Sequence, residues 1–131
     1  MNRLLTTLAA IFSFTGVAFG ALGAHALKSA VGALPEATER LAWWETAARY
    51  HLIHALGLGL LSVLAGHVQG RITRVAAACF VAGIALFSGS LYALALTGTR
   101  AFGMVTPFGG LAFLAGWLLV GVAAQKLPRA T

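Results

Sequence analysis

RVAAACFVAGIALFSGSLYALAL, residues 74–96, carries no charged side chain after Arg74, and the next charge is Arg100. As an α-helix rising about 1.5 Å per residue this stretch reaches about 33 Å, enough to cross a hydrocarbon layer of about 30 Å. Three further apolar runs, at about residues 4–24, 47–65 and 107–124, have similar character. The 131-residue chain is 60% hydrophobic and 9% charged, too few charges to cover a water-facing surface. The same balance excludes a disordered chain. A disulfide scaffold is excluded because Cys79 is the only cysteine. The expected architecture is all-α: an integral membrane four-helix bundle forming a single domain over residues 1–131.

The first run begins with Asn2 and Arg3 and ends near Ala24-His25-Ala26, which has the small-residue pattern of a signal cleavage site. Its length, with Gly16 and Gly20 one turn apart for close helix packing, favours a retained span. Residues 25–34 read as a loop. Pro35 suits a first helical turn, and Glu36 and Glu39 suit the positive end of a helix dipole. An amphipathic extension over about residues 35–46 then leads into the second span, with Trp43 and Trp44 at the membrane interface. Thr106-Pro107 reads as a capped helix start. Arg3, Arg71, Arg74, Lys126 and Arg129 fall on one side, and Lys28, Arg40, Arg49 and Arg100 toward the other. Counting basic residues places both termini in the cytoplasm of a multi-pass inner-membrane protein.

A net charge of +6 invites a nucleic acid reading. The basic residues stand singly or in pairs at span ends, with no run to follow a phosphate backbone, so no nucleic acid partner is expected. The chain has no aspartate and only three acidic residues, too few for a paired-carboxylate enzyme, and no catalytic residues are expected. Ser88-Gly89-Ser90 lacks a positioned base and reads as small residues for helix packing, as does Gly109-Gly110. Cys79 reads as an inert thiol. His51 and His54 supply at most two metal ligands and His25 a third, so neither a metal site nor a cofactor is expected.

The polar residues of the spans collect in one leaflet. His25, Glu45, Arg49, His51, His54, Ser88, Ser90, Tyr92 and Thr106 all fall toward the outer boundary and form the candidate functional cluster. Glu45 and Arg49, four apart with the acid first, read as a helical ion pair. His51 and His54 share a different face. His54 and Ser88 fall at similar depth, about 10 Å from that boundary, so His54 is expected inside the bundle, packed on Ser88 or Ser90.

Gly20-Ala21-Leu22-Gly23-Ala24-His25-Ala26-Leu27, Trp44-Glu45-Thr46-Ala47-Ala48-Arg49-Tyr50-His51 and His54-Ala55-Leu56 make one ordered set of motifs. Phe87-Ser88-Gly89-Ser90-Leu91-Tyr92 and Thr106-Pro107-Phe108-Gly109-Gly110 follow. Together they resemble the small four-helix membrane proteins related to transmembrane protein 256, over nearly the whole chain. The resemblance implies a four-span topology and an inner-membrane setting in bacteria. It implies no established activity and no catalytic residue. The function expected is a non-enzymatic component that binds membrane lipids or a membrane-protein partner. The alternative is a small transporter or proton-linked permeation unit lined by His51, His54 and Tyr92, assembled as a homo-oligomer through glycine faces.

Overall fold

A computed structural model describes residues 2–68 and 70–128; Arg129, counted above among the basic residues of one side, lies outside the described residues. Four long helices run back and forth: α1 Arg3–Val31, α2 Ala37–Leu64, α3 Arg71–Thr97 and α4 Thr106–Ala124. A short 3-10 turn, Arg100–Met104, leads into α4. Each is long and apolar enough to cross a membrane. Over their most apolar stretches α2 and α3 are 50% buried, against 17% for α1 and 28% for α4. The middle pair therefore forms the spine, and α1 and α4 flank it with broad apolar outer faces.

The helix expected to stop near Ala24 does not stop there. It continues to Val31 through a π-helical turn, Gly23–Leu27. Residues 24–31 hold no proline and several good helix formers, so leaving the membrane gives them no reason to unwind. Pro35 lies in the connection, and α2 starts two residues later at Ala37. At about 1.5 Å per residue α2 is about 42 Å long and projects past one membrane face.

Glycines set how closely the helices approach. The Phe80 ring, fully buried, lies between Gly57 of α2 and Gly116 of α4, and either glycine would collide with it if given a Cβ. Phe113 of α4 occupies the equivalent space over Gly83 of α3. Gly109 sits against the backbone of Leu86 and Phe87, where α3 makes a second π-helical turn, Ile84–Ser88. There the Gly89 N–H donates to the Ile84 carbonyl, five residues back. A π turn takes in one extra residue and shifts the faces of the helix beyond it by about 100°.

The end that carries the termini is held by a small polar clasp. Asn2 Oδ1 accepts from Leu5 N–H at 3.3 Å, and Thr6 and Ser62 share a hydroxyl contact of 2.6 Å. Ser62 also donates to the Asn2 carbonyl at 3.2 Å. Ser62 is 2% exposed, so Ser62→Val removes its two hydrogen bonds to the clasp, while the Asn2 carbonyl still accepts from the Thr6 N–H and hydroxyl. Thermal unfolding of the variant in detergent is expected to show a loss of about 1–3 kcal/mol, two hydrogen bonds at about 0.5–1.5 kcal/mol each. Stability equal to the parent protein would show that the clasp contributes nothing.

Candidate functional site

The opposite end of the bundle gathers most of the polar side chains, in four separate groups. Glu45 and Arg49 form an ion pair of 2.7 Å, with side chains 72% and 63% exposed on the outer face of α2. A pair so open contributes under about 1 kcal/mol to stability. His25 is also exposed, in the π turn of α1, where its carbonyl accepts from Ser29.

His51 and Tyr92 are buried together between α1, α2 and α3. Thr15 Oγ1 donates to the Ile11 carbonyl at 3.0 Å and lies 3.3 Å from His51 Nε2. With the threonine proton committed, Nε2–H donates to Thr15, which leaves Nδ1 to accept from the Tyr92 hydroxyl at 3.4 Å. Both nitrogens of His51 are therefore satisfied. Phe12 and Phe19 meet the imidazole edge-on, at 5.8 and 6.1 Å, and Trp44 covers Tyr92 at 4.6 Å.

Trp44, expected at the interface, is 7% exposed and belongs to this interior. Its indole N–H donates to the Phe19 carbonyl at 2.6 Å, directly over Gly23, whose missing side chain makes the space. Burial with the N–H satisfied is the more stable place for an indole when a glycine offers it.

Ser90 and Thr106 form the third group, with hydroxyls 2.7 Å apart across α3 and α4. Thr106 therefore does not cap its helix with its side chain; it ties the start of α4 to α3, and Pro107 alone supplies the expected helix-start chemistry. Ser88 is fully buried, and its hydroxyl has no partner among the described residues.

His54 lies apart from these serines. It is buried, as the helical period implies, but its Nδ1 bonds the Tyr50 carbonyl at 2.7 Å, one turn back on its own helix. Its ring stacks on Phe113 of α4, with centroids 3.4 Å apart and planes 9° apart. The expected contact with Ser88 or Ser90 is replaced by this aromatic one. The π turn rotates the last turns of α3, so Ser90 faces Thr106 instead.

Two features here escaped the sequence reading. Arg40 Nη1 donates to the Ala95 and Leu96 carbonyls at 3.3 and 3.1 Å, closing the end of α3. Glu36 stands 3.9 Å from Arg40 and 3.7 Å from Arg100. The other feature is a pair of lateral grooves. One, of about 360 Å³, lies between α1 and α2 with Gly20, Gly23 and Ala24 as floor, Trp44 as wall and Lys28 and Glu45 on the rim. The other, of about 590 Å³, lies between α2 and α4 and reaches His54. Gly20 meets nothing within 4 Å, whereas Gly16 touches His51 and Leu52, so only the first of the two paired glycines packs on a helix of this chain. Among the described residues no three His, Cys or Glu side chains assemble as a metal set.

Residues 19–110, from Phe19 through Gly110, match the family described as a protein of unknown function (DUF423). The UPF0382 membrane protein YwdK of Bacillus subtilis is 41% identical, over 95% of this chain and 98% of its own length. The UPF0382 inner membrane protein YgdD of Escherichia coli K12 is also 41% identical, over 98% of this chain and 94% of its own. A Staphylococcus haemolyticus UPF0382 membrane protein, SH2409, is 38% identical with 95% and 97% covered. No solved structure matches. With four helices able to span a bilayer and relatives of the same length named as membrane proteins, the chain is a multi-pass membrane protein and belongs to the DUF423 family.

Proposed function

We propose that the protein is a non-enzymatic membrane component that holds a glycerophospholipid in the groove between α1 and α2, with both termini cytoplasmic and the groove opening into the outer leaflet. The observation that carries this reading is the make-up of the groove: an open floor at Gly20 and Ala24, walled by the Trp44 ring seated over Gly23, with the Lys28 amine on the rim. Small residues let an acyl chain lie close against backbone. Glu45 is already engaged by Arg49, and Lys28 has no carboxylate within ion-pair distance among the described residues. The lysine is thus a free donor for a phosphate at the depth where head groups sit.

His51 and Tyr92 are enclosed by Phe12, Phe19 and Trp44, while His54 belongs to the other groove. The three residues share no single lining, and the lipid-binding reading is preferred over transport for that reason.

The test is lipid retention through purification, read by native mass spectrometry. Lys28→Gln is expected to lower retention of phosphatidylglycerol about five- to tenfold, the loss of one charge-assisted contact. Gly20→Leu fills the open floor and should lower retention of phospholipid whatever its head group, while Gly121→Leu, with equally open surroundings, should not. Unchanged retention in both groove variants rejects the proposal.

A further inference from the structure

The groove between α2 and α4 differs from the first in chemistry. Its walls are the rings of Tyr50, Phe87, Phe113 and Trp117, and among the described residues no cationic side chain lines it. Tyr50 and Phe87 lie 4.6 Å apart, and Trp117 reaches to 6.1 Å from His54. Gly110 lines it too, and without a side chain there the space over Phe87 stays open.

At its base sits His54, 4% exposed. A carbonyl oxygen can only accept, so the bond to Tyr50 fixes the proton on Nδ1. In the uncharged ring Nε2 then carries a lone pair. Among the described residues nothing donates to it, and it is not among the fully sealed polar atoms that lack a partner. His51 takes the opposite tautomer and uses both nitrogens, so the two histidines of α2 differ in kind. One is a finished packing residue. The other holds an acceptor toward a groove of about 590 Å³, within the size range of small-molecule sites.

We propose that this groove binds the ring of a membrane-soluble quinol, with a ring hydroxyl donating to His54 Nε2 and the hydrocarbon tail leaving sideways into the bilayer. An acyl chain would leave Nε2 unpaired in apolar surroundings, and a phospholipid would bring an anion to a groove without a cation. A flat ring can stack against the aromatic walls, and a phenolic hydroxyl supplies the missing donor. The oxidised quinone has no hydroxyl and so cannot donate, and the site therefore distinguishes the two forms. The proposal does not depend on phospholipid in the other groove.

The probe is decylubiquinol, kept reduced without oxygen, compared with decylubiquinone on the full-length protein in nanodiscs. Binding is followed by quenching of tryptophan fluorescence, with Trp117→Phe identifying the groove. The quinol is expected to bind about five- to tenfold more tightly than the quinone, the worth of one buried hydrogen bond. His54→Phe keeps a ring on Phe113 and should bring that ratio to about one. Leu111→Trp, at a rim position 63% exposed and so harmless to folding, should weaken both ligands. Equal affinity for the two forms overturns the proposal, as does a ratio that survives His54→Phe or binding indifferent to Leu111→Trp. Equal competition by myristic acid overturns the preference for a ring.

Discussion

Gly109→Val is expected to leave little folded protein, with a loss of about 3 kcal/mol or more in what does fold, the upper range for forcing atoms into a packed interior. A Cβ at this position would collide with the Phe87 amide nitrogen and the Leu86 carbonyl carbon, and neither is the end of a flexible side chain. The backbone itself would have to move. This is also the place where α3 makes its π turn, so moving the backbone breaks the register that points Ser90 at Thr106. The comparison is Gly121→Val on the same helix, where nothing lies within 4 Å and no change is expected. Thermal unfolding in detergent, followed by circular dichroism, measures both. A Gly109→Val protein melting within about 2 °C of the parent, less than a 1 kcal/mol change produces in a domain of this size, would show that α4 is not seated as described.

The four helices were legible in the sequence because a run of apolar residues long enough to span a bilayer has few other uses. The burial of His51 and His54 was legible for a similar reason: helical period places them away from the charged Glu45 and Arg49 face. Their neighbours were not legible. Depth along α3 sets Ser88 level with His54 but does not say which way it faces, and the π turn Ile84–Ser88 adds a residue and changes the phase. Phe113 takes the place against His54, and Ser90 turns to Thr106. Such a turn has no composition signal, and it lies where Gly109 of another helix comes close to the backbone. Trp44 was misplaced for a related reason. A tryptophan before a charged residue reads as an interface anchor until the space over Gly23 and the Phe19 carbonyl beside it are seen together. Pairings of a large residue with a distant glycine decide this fold, and one sequence shows the glycines without their partners.

The same lesson makes Arg40 the position where a single side chain matters more than its setting in the sequence suggests. It stands in the amphipathic start of α2, where the sequence shows it only as one basic residue in the count for that side. In the structure its side chain is only 14% exposed and lies across the end of α3. The last carbonyls of a helix lack partners within it. Arg40 supplies them at Ala95 and Leu96, while Gly98, left-handed at φ +71°, turns the chain beneath the guanidinium. Any side chain at Gly98 would both strain that φ and strike Arg40. Arg40→Met keeps the apolar stem but strands two carbonyls and leaves Glu36 with only Arg100, itself 80% exposed. Hydrogen bonds from a charged donor contribute about 1.5–3 kcal/mol, so the loss should be of that order or somewhat larger. Arg40→Lys keeps the charge near Glu36 but not the planar fork that spans two acceptors. The expected order of stability is therefore arginine, then lysine, then methionine. Amide exchange at the end of α3 should quicken in the same order, because that end is what the guanidinium closes. Lysine matching arginine would reduce the role to charge alone, and methionine matching arginine would remove it.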